Sequence, residues 1–230
     1  LNTSSGGDNK AIGYQSLRTN TTGTSNTALG NSALYTNATG TDNTALGKQA
    51  LYNTTGHRNT AVGINALYSN TTASNNLAVG REALYSNTTG TNNTSIGYNA
   101  SKNQTTASNN TTLGYQAQWQ VTTGSYNVAI GPEASKSLIS GGNNVAIGWH
   151  ANYQNTSNNN VAIGYESHYG SGAATQNVAI GSSALYSVTS GGGNVAIGYT
   201  AMQDNTTGTE NTAMGSYALN DNSSGSGNVA

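Results

Sequence analysis

The amino-acid sequence predicts an all-β fold, a parallel β-solenoid built from rungs of 16–17 residues. Three observations predict it: a glycine that returns at near-constant spacing, an asparagine four residues before each of those glycines, and an apolar residue immediately before each. The anchor glycines are Gly13, Gly30, Gly47, Gly63, Gly80, Gly97, Gly114, Gly131, Gly148, Gly164, Gly181, Gly198 and Gly215, with ten intervals of 17 residues and two of 16.

The first element of each rung is a short strand, as in Asn127-Val128-Ala129-Ile130-Gly131. Alternation puts the Ile/Leu and Thr/Val columns on one face and the Ala and Gly columns on the other. Both faces avoid charge apart from Lys10, so both are expected to be covered, the Ala and Gly face by a close neighbour. A second short strand is expected after the glycine, where Ala recurs at the third position and Leu17, Leu34, Leu51, Leu67, Leu84, Leu185 and Leu219 at the fourth. Polar turns such as Asn70–Asn75 and Ser140–Asn143 close the rung and should absorb the one-residue deletions. A helical reading fails, because the density of Thr, Asn and Gly opposes helix.

Stacked in parallel, like columns lie on top of one another. The Asn column (Asn9, Asn26, Asn43, Asn59, Asn76, Asn93, Asn110, Asn127, Asn144, Asn160, Asn177, Asn194, Asn211 and Asn228) then becomes a ladder of side-chain amides. A turn preference alone would enrich Asn without fixing its phase. Residues 1–230 read as a single array of about 13.5 rungs, roughly 65 Å long at ~4.8 Å per rung. No capping repeat is visible at either end, which points to a segment of a longer chain. One rung of aliphatic burial is small beside its ordering entropy, so several chains are expected to associate along the array.

Composition excludes several classes of function. The chain carries 7 Lys and Arg against 8 Asp and Glu, too few cations for a nucleic-acid stripe or an anionic membrane. It has no Cys and no long apolar run, hence no disulfide scaffold, thiolate zinc site or spanning helix in this segment. Acids and histidines are scattered, no phosphate loop or calcium nonapeptide is present, and neither catalysis nor a cofactor is expected.

Five patterns carry candidate chemistry. Glu133, His150 and Glu166 share the column two after Gly on successive rungs, which reads either as a weak metal site or as a charge ladder in water. Five after Gly stand Tyr35, Tyr52, Tyr68, Tyr85, Trp119, Tyr153, Tyr169 and Tyr186, candidates for ligand contact or for packing. A second aromatic column, one after Gly, contains Tyr14, Tyr98, Tyr115, Trp149, Tyr165 and Tyr199. Sequons at Asn20, Asn37, Asn53, Asn70, Asn87, Asn155 and Asn205 are candidate glycosylation acceptors or plain turn residues. Thr pairs at 21–22, 54–55, 71–72, 88–89 and 105–106 would suit an ice- or glycan-binding solenoid if they faced water.

The phrases Asn127–Gly131, Asn144–Gly148, Asn177–Gly181 and Asn194–Gly198 resemble the head repeats of YadA-like trimeric autotransporter adhesins. The resemblance runs over nearly the whole chain. It implies a left-handed β-roll, a homotrimer, an extracellular setting and adhesion to a host-surface protein or glycan. The N-terminal repeats, with Asn-Thr-Ala-Leu/Val-Gly and Ala-Leu-Tyr, are similar to those of phage tail-fibre-like proteins, and imply a virion fibre shaft as the alternative.

Overall fold

The computed structural model describes residues 6–230. It is an all-β parallel solenoid of about 12 turns with rungs of about 17 residues, and the described residues contain no helix. The chain is built as two compact units, Leu1–Thr112 and Leu113–Ala230.

The first unit contains β1 (Lys10–Ile12), β2 (Thr27–Leu29), β3 (Thr44–Leu46), β4 (Thr60–Val62), β5 (Leu77–Val79) and β6 (Thr94–Ile96). Each pairs in parallel with the next, in the register that sets Ala28 on Ala45 and Ala45 on Ala61. β7 (Thr111–Leu113) falls at the boundary between the units. The second unit holds β8 (Val128–Ile130), β9 (Val145–Ile147), β10 (Val161–Ile163), β11 (Val178–Ile180), β12 (Val195–Ile197) and β13 (Thr212–Met214), again in sequential parallel order.

Only one strand forms per rung, not the two expected. After the anchor Gly the backbone turns through left-handed residues at the second and fourth positions, as at Ser32 (φ 55) and Leu34 (φ 51). A third left-handed residue precedes the Asn, as at Asp42 (φ 59). Three such residues per rung break any strand. The hydrogen bonds between rungs nevertheless continue through the turns: Ser32 N–H donates to Tyr14 O, Leu34 N–H to Ala50 O and Thr36 N–H to Tyr52 O. These bonds offset the cost of the left-handed conformations, about 1–2 kcal/mol each for a residue with a Cβ.

The anchor glycines have φ between 127 and 142. Within each unit the anchor glycines also lie directly against the glycine of the next rung, Gly215 excepted: a Cβ on Gly131 would stand 2.6 Å from Gly148 O and 2.8 Å from its carbonyl carbon. Backbone conformation and close approach both forbid a side chain there, which accounts for the strictness of the column.

The strand faces are the reverse of the expected assignment. The Ala column points into the solenoid and is buried, with Ala45, Ala61, Ala78, Ala129, Ala146 and Ala179 all at 0% exposure. The Ile/Leu/Val and Thr/Val columns point outward and are exposed or half-buried. The interior is thin: Ala from the strand meets Ala at the third position and Leu at the fourth, as in Leu34, Leu51, Leu67 and Leu84. In the second unit the fourth position varies, and Leu138 compensates for Ser135 in the same rung. Both 16-residue rungs lose their residue in the polar turn, as expected. Asn43 reaches Gly56 O across 13 residues where Asn26 reaches Gly40 O across 14, and Asn144 reaches Ser157 O across 13.

Candidate functional site

The Asn column forms a ladder within each unit. The backbone N–H of each Asn donates to Oδ1 of the Asn one rung back: Asn26 to Asn9 at 2.9 Å, Asn43 to Asn26 at 3.0 Å, Asn93 to Asn76 at 2.9 Å and Asn194 to Asn177 at 2.9 Å. The side-chain amide crosses the interior to a turn carbonyl, as from Asn76 Nδ2 to Gly90 O at 2.9 Å. A second interior Asn column, seven after Gly, reaches the same carbonyls. Asn37 joins Asn26 on Gly40 O, Asn70 joins Asn59 on Ala73 O, and Asn205 joins Asn194 on Gly208 O.

That second column is where the sequons fall. Asn20, Asn37, Asn70, Asn87, Asn155 and Asn205 are buried and committed to interior hydrogen bonds, so the folded chain does not offer them as glycan acceptors. Asn53 alone of the seven is half-buried. The phase of Asn20, Asn37, Asn70, Asn87 and Asn205, fixed at seven after Gly, was the signal that could have identified a second ladder. The turn threonines are spoken for as well: Thr21, Thr71 and Thr88 hydroxyls donate to Ala38 O, Thr88 O and Thr105 O of the next rung.

The aromatic column five after Gly forms face-to-face stacks. Tyr35–Tyr52, Tyr52–Tyr68 and Tyr68–Tyr85 have centroid separations of 4.8, 5.1 and 5.2 Å and interplanar angles of 2°, 12° and 5°. Tyr153–Tyr169 and Tyr169–Tyr186 stack at 5.1 and 4.9 Å. Cations in the same column close both ends of the first stack and the Tyr153 end of the second. Arg18 lies 5.5 Å from the Tyr35 centroid and Lys102 5.9 Å from that of Tyr85. Lys136 sits 5.7 Å from the Trp119 centroid and 5.9 Å from that of Tyr153. Apart from the outer face of Tyr186, the ring faces of the two tyrosine stacks are thus taken up by neighbouring rings and cations, leaving edges and phenol oxygens for outside contact.

Glu133, His150 and Glu166 do stack on successive rungs. His150 Nε2 is 3.1 Å from Glu133 Oε2 and Nδ1 is 3.8 Å from Glu166 Oε1. The two carboxylates address opposite ring nitrogens, so one cation cannot take all three as ligands. Among the described residues no group of three or more His, Cys, Asp or Glu is arranged to hold a metal ion. Nor is this a fully solvated ladder, since the three side chains are only 16–21% exposed. Burial pushes Glu133 up, but hydrogen bonds from Lys136 and His150 outweigh it and hold the carboxyl below its usual range. The corresponding pair in the first unit is Glu82, held low chiefly by the 2.7 Å hydrogen bond from Lys102.

His168, in the column four after Gly that Leu fills in seven of the thirteen rungs, is fully buried. Its Nδ1 lies 2.9 Å from Asn152 Oδ1 and its Nε2 3.3 Å from Asn177 Nδ2. Asn177 Oδ1 already accepts from Asn194, so its amide can only offer N–H to the ring. Asn155 Nδ2 also lies 3.1 Å from Nδ1 and 3.4 Å from Nε2, and the arrangement in which Nδ1 donates to Asn152 Oδ1 and Nε2 accepts from the amides satisfies these contacts. Burial pushes the His168 pKa down to about 4.

The outward face of the sheet differs between the units. In the second unit it presents Val145, Ile147 and Trp149, then Val161, Ile163 and Tyr165, then Val195, Ile197 and Tyr199, with no charged side chain in these columns. Trp149 is 42% and Tyr165 47% exposed, with ring centroids 5.0 Å apart. In the first unit the same columns present Thr27 and Leu29, Thr44 and Leu46, Thr60 and Val62, and Thr94 and Ile96.

Comparison of the chain with protein-family models, with curated proteins and with solved structures gave no match.

Proposed function

We propose that this chain is a structural and adhesive segment of an extracellular fibre, assembled as a homotrimer of parallel β-rolls. The observation that carries the proposal is the outward sheet face of the second unit. Five consecutive strands, from β8 to β12, read Val-Ala-Ile, and the Val and Ile side chains point away from the interior. Parallel sheets are covered on both faces, and an uncharged band of Val, Ile and exposed aromatics is a surface for protein contact. A copy of the same chain meets it with the same columns at the same spacing, which is the geometry of a repetitive shaft. The head-repeat resemblance supports three chains around one axis. The cation-poor surface and the absence of cysteine fit an exterior setting without selecting a partner.

The test is the solution mass of the chain by light scattering, beside Ile147→Asp and Ile163→Asp variants. A trimer that dissociates in the variants, with circular dichroism unchanged, supports the proposal. A wild-type chain that is a folded monomer at every concentration overturns it.

A second reading has an observation of its own. The outward Thr that opens β2, β3, β4 and β6, exposed at Thr27 and Thr44, stands beside aliphatic side chains, in a row that Leu77 of β5 interrupts. Such a row suits an ordered water layer or a polysaccharide surface better than the turn threonines do, whose hydroxyls bond to the next rung. Thermal hysteresis or retention on an insoluble glycan, lost in Thr44→Lys, would favour it.

A further inference from the structure

The geometry points to the tyrosine stacks as sites of oxidative modification, in which a one-electron oxidant of the peroxidase or photo-oxidant class joins consecutive rungs through dityrosine. This inference is independent of the oligomeric state.

Dityrosine forms when two phenols each surrender one electron to the oxidant and one proton to water. The two phenoxyl radicals couple through their ortho carbons. The two ring hydrogens at those carbons then move to the phenol oxygens, so the product is two tyrosines less two hydrogen atoms. The step needs two phenols held side by side with matched orientation. Tyr35, Tyr52, Tyr68 and Tyr85 provide that three times over, with like atoms above like atoms because the rings are within 12° of parallel at 4.8–5.2 Å. All four are half-buried, with an edge open to an oxidant in solution. Coupling requires one rung to tilt toward the next, a local motion of the turn segment and not of the strand ladder.

The ends of the stack direct the link to its middle. Arg18 donates a 2.7 Å hydrogen bond to the Tyr35 phenol oxygen, and its guanidinium lies 5.5 Å from that ring. At the other end Lys102, whose charge is shared with Glu82 in a 2.7 Å ion pair, lies 5.9 Å from the Tyr85 ring, a weaker effect than that of Arg18. A positive charge beside a ring opposes removal of an electron from it. The electron deficiency therefore settles on Tyr52 and Tyr68, which have tyrosine on both sides. A chain without cysteine cannot close a disulfide, and a Tyr52–Tyr68 bond would give it a covalent tie between adjacent rungs.

The chain can be oxidised with light, ruthenium(II) tris-bipyridyl and persulfate, as an equal mixture of 14N- and 15N-labelled protein, then digested with trypsin. Cleavage after Lys48, Arg58, Arg81 and Lys102 leaves Tyr52, Tyr68 and Tyr85 on separate peptides. The expected product is peptide 49–58 joined to peptide 59–81 with a mass deficit of two hydrogens, of single isotope composition, forming first. Tyr52→Phe, which keeps the stack but removes the phenol, should abolish this link and leave Tyr68–Tyr85. Arg18→Gln should raise the share of Tyr35–Tyr52. Mixed-isotope products, or links that form as readily at Tyr126, which is 63% exposed and outside the stacks, would overturn the inference. So would oxidation that yields no dityrosine while the fold remains intact.

Discussion

The buried imidazole of His168 makes the solenoid sensitive to acid in a defined window. In the unfolded chain the group titrates near its ordinary value of 6.5, and in the fold near 4. As pH falls below 6.5, the unfolded chain takes up a proton that the folded chain refuses, so stability is fully present above that point and is lost progressively down to about 4. A difference of roughly 2.5 units, at 1.36 kcal/mol each, is about 3 kcal/mol, a large share of a typical net stability of about 5–15 kcal/mol. The refusal has a structural cause beyond burial: a second ring proton on Nε2 would face the N–H of Asn177, whose orientation is fixed by its bonds from Asn194. The assay is urea unfolding at fixed protein concentration, followed by circular dichroism, from pH 7.5 to 5. That range lies above the lowered pKa values of Glu82 and Glu133, whose carboxylates contribute stability that is lost only in stronger acid. The comparison is His168→Leu, the residue that fills this column at Leu34, Leu51, Leu67, Leu84 and Leu185. The freed amides change the variant's absolute stability; its expected signature is a flat profile where wild type slopes by up to about 1.4 kcal/mol per pH unit. A flat wild-type profile, or a slope that survives in His168→Leu, refutes the assignment of a neutral buried imidazole.

Other outcomes follow from the ladders. Asn93→Ala removes the Nδ2 bonds to Asn76 Oδ1 and Ala107 O and the Oδ1 that accepts from the Asn110 N–H, so urea unfolding should show a loss of about 3–5 kcal/mol. The exposed neighbouring Asn92→Ala should cost only about 1 kcal/mol, for its left-handed backbone. Gly131→Ala should fail to give folded protein or lose more than about 3 kcal/mol, because φ is 128 and the Cβ meets the Gly148 carbonyl. Gly7→Ala, with nothing within 4 Å of its Cβ, should leave the melting temperature unchanged. Expressed through a glycosylating secretory system, the folded chain should show by mass spectrometry no glycan on Asn20, Asn37, Asn70, Asn87, Asn155 or Asn205; occupancy at these sites would mean that the second Asn column is not interior.

The sequence made the period, the strand position and the site of the deletions legible, because each depends on column identity alone. Gly13 to Gly215 and the Asn four residues before each need only be counted. The direction of the side chains was not legible in the same way. Size usually separates inside from outside, and Ile130 or Ile147 looks more like core than Ala129 or Ala146. In this fold the interior is too thin for two large side chains per rung. Leu34 or Leu51 from the turn segment fills it, and the strand adds only a small residue, Ala in all but Ser95 and Thr112. The second strand failed for a related reason. The Ala-Leu phrase alternates like a strand, yet its residues alternate between left-handed and ordinary backbone, a choice that no apolar pattern records.

The reversal also changes what self-association would accomplish. Were Ala and Gly outward, neighbouring chains would meet backbone to backbone, and their contact would supply the missing core. With the Ala column buried within one chain, each unit has an apolar interior of its own. The outward columns are then free to differ, Thr beside Leu or Val in β2–β4 and Val beside Ile in β8–β12, while the rung beneath stays the same. Burying a Val and an Ile per rung against a second chain is worth about 3–6 kcal/mol before the costs of association. Thr in place of Val weakens that gain at every rung where it occurs. Association should therefore be driven from the Val-Ala-Ile strands, and exchanging Val145 and Val161 for Thr should lower the dissociation midpoint of the proposed trimer more than exchanging Thr27 and Thr44 for Ser. Equal effects from the two exchanges would show that the outward columns do not set the strength of assembly.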